Sequence, residues 1–159
     1  MKKRAAANVG IEHKLVRMWG KTLMSAGFVG FPSAVIRYQD QLRLSSVELN
    51  VLLQIADHWW TPERLPFPSK GLIAQRMRIR PRSVQRVVAR LEARGLIERV
   101  KRNYMHGGNK SNEYRLVGLI QATEPFAKEI ADKSEMRLRE KAQRARRKPG
   151  LRLVTGPRP

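Results

Sequence analysis

Residues 69–97 read SKGLIAQRMRIRPRSVQRVVARLEARGLI, and this stretch decides the fold. Ser69 is suited to the N-cap of a helix, because its hydroxyl can accept a hydrogen bond from an amide of the first turn. Ile73, Ala74 and Met77 then share one helical face. The apolar pattern breaks after Met77. A first short helix is therefore predicted over residues 70–77.

A second helix is predicted over residues 81–94. Pro81 suits the first helical position, where its missing N–H costs nothing, and Gly95 suits the left-handed residue that follows a helix. Apolar residues recur between them at the i, i+3, i+4, i+7 spacing, which forms one narrow stripe at 100° per residue. They are Val84, Val87, Val88 and Leu91. Two short helices joined by a tight turn are the expected arrangement.

On the outward side of the second helix, Arg82 and Arg86 lie opposite this stripe, Gln85 flanks them, and Ser83 lies near the start of the helix. In the major groove of DNA, Arg pairs bidentately with guanine and Gln with adenine. Ordinary exposed helices mix acidic and basic residues, whereas residues 70–94 hold one acid, Glu92, against a run of bases. These bases are Lys70, Arg76, Arg78, Arg80, Arg82, Arg86, Arg90 and Arg94. The four outward residues are therefore predicted to read base edges of duplex DNA.

A β-hairpin is predicted after the second helix. Residues 95–100 are apolar and β-prone, Gly107-Gly108-Asn109 supplies a turn, and Tyr114 and Leu116 resume with alternating spacing. Basic residues along the hairpin suit contact with phosphate. The residues predicted to bind the DNA backbone are Ser69, Lys70, Arg80, Arg90, Arg99, Lys101, Arg102 and Lys110.

Upstream of these elements, Ser45 and Glu48 have the spacing of a capping box and precede a periodic apolar run, which predicts a helix over residues 46–59. The adjacent Trp59 and Trp60 are predicted to anchor the core. A shorter helix is expected within residues 28–41, after Pro32 and Ser33.

The two ends of the chain differ from the centre. Residues 1–27 are predicted to be a basic arm that is at most partly ordered. Residues 28–120 form the expected domain, and residues 121–159 a basic tail that is partly helical or disordered. Within the tail, residues 124–148 carry only a thin apolar stripe, which favours a solvent-exposed helix.

The order of these elements resembles a winged helix-turn-helix, similar to the MarR-like and GntR-like domains. Leu91-Glu92 followed by Gly95-Leu96-Ile97 resembles their junction between recognition helix and wing. The departure is Arg78, which stands in the turn where this family usually has Gly. Short helix-turn-helix proteins of plasmids and other mobile elements are more similar still, through His58-Trp59-Trp60, Pro66-Phe67-Pro68-Ser69, Val84-Gln85-Arg86 and residues 111–116, SNEYRL. The expected fold is mainly α with a small β-hairpin.

Composition points to a polyanionic partner. The chain has 33 Lys and Arg against 13 Asp and Glu, a formal net charge of +20 in 159 residues. Cationic side chains gain by displacing the counterions condensed on nucleic acid. An RNA-coating or ribosome-associated protein would carry the same bulk charge, but it would not require the helix-turn-helix spacing.

Enzymatic function is not expected, and no catalytic residue, metal or cofactor is predicted. Cys is absent, which excludes disulfides and thiolate zinc sites, and the three His form no His-x-His pair for a metal-dependent nickase. Gly20-Lys21-Thr22 matches only the end of a phosphate-binding loop, because Leu15 stands where the opening Gly belongs.

The resemblance and the charge together predict sequence-specific binding of double-stranded DNA, with transcriptional regulation as the expected role. The alternative is an accessory factor in the replication, partition or transfer of a plasmid or mobile element. Binding to DNA as a homodimer is compatible with these predictions. The expected location is the bacterial cytoplasm, at the nucleoid, with no membrane association.

Overall fold

The computed structural model describes residues 13–102 and 111–147. Residues 13–19 are helical, and the elements that follow them are given in chain order. The helices are α1 (Lys21–Ser25), α2 (Ser33–Arg37), α3 (Ser46–Ala56), α4 (Lys70–Met77), α5 (Pro81–Ala93) and α6 (Val117–Arg147). The strands are β1 (Glu98–Val100) and β2 (Glu113–Arg115). The prediction of a mainly α fold with a small β-hairpin is confirmed.

Helix α3 begins at the predicted capping box. The Ser45 hydroxyl accepts a hydrogen bond from the Glu48 amide at 3.3 Å, and the Glu48 carboxylate accepts one from the Ser45 amide at 2.8 Å. These two bonds satisfy donors that the first turn leaves free. The helix ends at Ala56, before the predicted residue 59, so the Trp pair lies beyond its last turn.

The helix-turn-helix is formed by α4 and α5. Ser69 caps α4, since its hydroxyl accepts from the Leu72 amide at 3.1 Å. The turn is made by Arg78, whose φ of 52° and ψ of 42° place it in the left-handed region. This conformation lets the Ile79 amide donate to the Ala74 carbonyl at 3.0 Å. Arg78 thus adopts the backbone geometry that Gly usually supplies.

The hairpin follows α5 directly. Gly95 has a φ of +68°, as predicted for the residue after the helix, and the Leu96 amide donates back to the Leu91 carbonyl at 3.0 Å. Strands β1 and β2 then pair antiparallel, with Arg99 opposite Tyr114. The predicted turn at residues 107–109 lies outside the described residues.

One hydrophobic core connects these elements. The stripe of α5 is buried as predicted, with Val84, Val87, Val88 and Leu91 each at most 3% exposed. It packs with Val51, Leu52 and Ile55 of α3 and with Ile73 and Ala74 of α4. Burying one side chain of this size contributes about 1.5–3 kcal/mol. The stripe therefore fixes which face of α5 turns outward.

Helix α6 belongs partly to this core. It begins at Val117, whereas the exposed helix was predicted from residue 124, and it runs across the predicted domain end at residue 120. Leu119 and Thr123 are buried, and the Phe126 ring stacks on Tyr38 with 4.7 Å between centroids. From residue 131 to residue 145 the side chains are exposed, as predicted.

The prediction that the Trp pair anchors the core is wrong for Trp60. Its side chain is 74% exposed, and Trp59 is 37% exposed. The apolar face of α3 ends with Ile55 and Ala56, and the helix ends before the indoles could turn inward.

Within the described part of the chain, no helix is both long and apolar enough to cross a membrane.

Candidate nucleic-acid interface

The outward face of α5 presents the predicted base-reading residues. Arg82, Gln85 and Arg86 are exposed, and Ser83 is half-buried near the start of the helix. Arg82 and Arg86 lie opposite the buried valines because the stripe occupies only one side of the helix, and Gln85 flanks them. Fixed in this way, the helix offers guanidinium and amide groups to a partner without disturbing the core.

Helix α4 contributes to the same surface through its first residue. The Lys70 ammonium donates to the Gln85 Oε1 at 3.2 Å, and both side chains are exposed. The contact joins a residue predicted to bind phosphate with a residue predicted to read bases. Sequence spacing gives no signal for it, since the two residues lie on different helices.

A cavity of about 630 Å³ opens between the wing, which comprises residues 95–102 and 111–116, and the starts of α4 and α5. Five of the residues predicted to bind the DNA backbone line it: Ser69, Lys70, Arg99, Lys101 and Arg102. Tyr114 lies at its edge, and burial raises the pKa of this phenol. The fold thus brings cationic groups from α4 and β1 to one concave surface.

Arg99 is held in place by an acid. Its backbone amide donates to Glu92 at 3.2 Å and its Nε at 2.7 Å, and its terminal nitrogen also contacts that carboxylate. The hydrogen bond from Arg99 lowers the pKa of Glu92, against the effect of burial. Glu92, the one acid among residues 70–94, therefore ties the wing to the end of α5.

Arg102 is placed by two neighbours. Its Nε lies 3.3 Å from Glu113 across the hairpin, and its guanidinium lies 4.6 Å from the centroid of the Phe67 ring. Arg64 contacts the same ring at 4.8 Å. This arrangement keeps the guanidinium in a defined position beside the cavity.

Arg90 has an intramolecular partner that sequence reasoning missed. The Glu48 carboxylate, 6% exposed, lies 3.3 Å from Arg90 Nε and 3.5 Å from Arg94 Nη1. Arg94 also donates to the carbonyl of Leu42. Burial raises the pKa of Glu48, but the hydrogen bonds from Ser45 and the two guanidinium groups outweigh this, so its pKa is lowered overall. Arg90 therefore holds α5 against α3 in the free protein.

The remaining predicted backbone-binding residues fall in different places. Arg80 is the exposed N-cap residue of α5, and Lys101, which lines the cavity, is exposed directly after β1. Lys110 lies outside the described residues.

Among residues 13–102 and 111–147, no group of three His, Asp or Glu side chains could hold a metal ion.

A family model and solved structures are similar to parts of this chain. Residues 42–97 match a family model described as a helix-turn-helix domain, and no curated protein sequence matches the chain. The N-terminal domain of the DnaD protein from Geobacillus kaustophilus is similar in structure, with 23% identity, a TM-score of 0.50, and coverage of 77% of this chain and 96% of that one. A MepR mutant from S. aureus is 18% identical with a TM-score of 0.42, covering 81% of this chain and 82% of that one. The match over residues 42–97, the buried stripe of α5 and the pairing of β1 with β2 together show that this chain has a winged helix-turn-helix fold.

Proposed function

We propose that this protein is a transcription regulator that binds a specific sequence in double-stranded DNA and is not an enzyme. The observation that carries the proposal is the outward face of α5. Arg82, Gln85 and Arg86 are exposed on a helix whose opposite side is fixed in the core. Such a helix fits the major groove, where these side chains can distinguish bases.

The residues around α5 support separate roles for base reading and for binding the DNA backbone. Lys70 and Lys101 lie on the cavity between the helices and the wing, where they can contact phosphate. Such contacts add affinity for any duplex and set the register of the protein on it. The net charge of +20 favours the same partner. The proposal implies a cytoplasmic location at the nucleoid, where bacterial duplex DNA lies.

We also propose that the protein binds DNA as a homodimer. Large apolar side chains ahead of α2 are exposed: Met18 by 74%, Trp19 by 60%, Leu23 by 61% and Phe28 by 62%. These residues lie within one short segment of the chain, and exposed apolar surface is typical of protein interfaces. Sedimentation of the full chain and of Leu23→Glu tests this point. We expect a dimer for the first and a monomer for the second, and a monomeric full chain would contradict the dimer.

Selection from a random duplex pool, followed by footprinting across the genome, tests the function. We expect one enriched sequence, with genomic sites that overlap promoters. Repeated sites at a replication or transfer origin would favour the accessory role in replication, partition or transfer instead. Equal binding to all duplexes, together with tighter binding to structured RNA, would contradict sequence-specific DNA binding.

A further inference from the structure

The contact between Lys70 and Gln85 has chemical consequences for base reading. Lys70 is the first residue of α4, and Gln85 lies in the second turn of α5. Capping by Ser69 fixes the start of α4, and the left-handed turn at Arg78 fixes the angle between the helices. The crossing of the two helices brings these side chains within reach of each other, and Lys70 Nζ lies 3.2 Å from Gln85 Oε1.

A Gln side chain has one accepting oxygen and one NH2 group that donates two hydrogen bonds. Bidentate recognition of adenine uses both groups, because N7 accepts and the N6 amino group donates. An ammonium can only donate, so it must face the amide oxygen. Lys70 consequently draws Oε1 toward α4 and leaves the NH2 group of Gln85 facing outward.

We propose that Lys70 determines the base that Gln85 reads. With Oε1 turned toward α4, Gln85 presents its NH2 donors to the groove, and guanine is the base that offers two acceptors, N7 and O6, in the major groove. Lys70 and Gln85 together then select guanine, where an unconstrained Gln would select adenine. This inference rests on the proposed function, since it assigns a base to a residue of the same recognition helix.

Lys70 can serve this role and still contact phosphate. An ammonium has three donors, of which Gln85 occupies one. Removing Lys70 is therefore expected to have two separable effects. Affinity falls for every duplex, because a phosphate contact is lost, and base preference changes at a single position, because the Gln85 amide is released.

Selection of binding sites from a random duplex pool, carried out with the full-length protein and three variants, tests the proposal. Gln85→Ala identifies the position that Gln85 reads, as the position at which preference is lost. At that position we expect the natural chain to prefer guanine over adenine by about fivefold or more. Lys70→Met should reverse the preference to adenine. Lys101→Met is the matched control: it removes an exposed cation that also lines the cavity, so it should weaken all duplexes and leave the guanine preference intact.

Three results would overturn the inference: adenine preferred by the natural chain at that position, an unchanged preference in Lys70→Met, or no position affected by Gln85→Ala. In each of these cases, if the natural chain still enriches one sequence, the proposed function remains supported although the inference about Lys70 is wrong. Failure to enrich any sequence with the natural chain would instead contradict the proposed function itself. Lys70 is exposed, and thermal midpoints equal to that of the natural chain verify that the variants are folded.

Discussion

Gly118, at the start of α6, lies directly against the backbone of Gly95, the left-handed residue after α5. A Cβ added at Gly118 would lie 1.7 Å from the Gly95 carbonyl oxygen and 2.9 Å from its carbonyl carbon. The next residue strengthens the contact, since the Leu119 amide donates to the Leu96 carbonyl at 2.8 Å. Helix α6 can therefore pack against the junction between α5 and β1 only because residue 118 has no side chain.

Gly118→Ala is expected to lower the free energy of unfolding by about 2 kcal/mol or more, because the obstructing atoms are backbone and cannot rotate away. Urea unfolding measures the change. Gly71→Ala is the control: a Cβ there meets only the Ser69 Oγ, at 3.8 Å, so we expect no loss and a gain of up to about 1 kcal/mol from helix propensity. Equal stability of the two variants would contradict the close packing of α6.

Arg78→Gly should stabilise the domain relative to Arg78→Ala by about 1 kcal/mol. Residue 78 has a φ of 52°, a conformation that disfavours residues with a Cβ and that Gly adopts readily. Both variants remove the same charge, so the difference between their unfolding free energies isolates the backbone effect. A more stable Ala variant would mean that the turn does not adopt the left-handed conformation in solution.

Glu48→Gln is expected to destabilise the protein by about 1–3 kcal/mol at pH 7, since it removes the negative charge that faces Arg90 and Arg94. Because the pKa of Glu48 in the folded protein lies below its ordinary value of 4.5, the stability contributed by its charge is complete above that value. The contribution is lost as the pH falls through the folded pKa. The gap between the natural chain and the variant should therefore narrow below about pH 4.5.

Urea unfolding of both proteins between pH 3 and pH 7 measures this convergence. The effect of Glu92, whose pKa is also lowered, is present in both proteins and cancels in the comparison. A gap that stays constant across the range would show that the charge of Glu48 contributes nothing to stability.

Arg86→Ala should weaken binding to the selected sequence by about 1–3 kcal/mol and relax base preference at one or two positions, because this exposed guanidinium lies on the outward face of α5. Arg102→Ala in the wing should weaken selected and scrambled duplexes alike and reduce the salt slope by about one unit. Binding titrations on both duplexes over a salt series measure the two effects. If Arg86→Ala weakened both duplexes equally, its proposed base-reading role would be wrong.

Removal of residues 135–159 should leave the domain folded while lowering affinity for every duplex. The segment carries many bases, including Arg137, Arg139, Lys141 and Arg144, and its described side chains are exposed. Removal of residues 122–159 should in addition lower the thermal midpoint, because it deletes buried Thr123 and the Phe126 ring that stacks on Tyr38. Thermal unfolding of the two truncated chains separates the effects, and equal midpoints would mean that the start of α6 does not stabilise the domain.

The sequence by itself determined the local elements of this protein. Periodicity placed the stripe of α5. Ser45 and Ser69 marked helix starts because their side chains accept from amides of the first turn, Pro81 because it lacks an N–H, and Gly95 marked a helix end because it adopts a positive φ readily. These signals act within a few residues of the chain, so they can be read without knowing the fold. The predicted outward face, with Arg82, Gln85 and Arg86, followed from the same periodicity.

Only the tertiary structure decided which distant residues meet. The engagement of Glu48 with Arg90, of Glu92 with Arg99 and of Lys70 with Gln85 depends on how separate elements cross. The docking of α6 depends in the same way on the contact of Gly118 with Gly95. The exposed side chain of Trp60 shows what local patterns miss. Helix α3 ends before this residue, so the indole does not reach the core that its apolar character predicted. Such contacts join residues far apart in sequence through packing geometry, and no periodic pattern along the chain encodes that geometry.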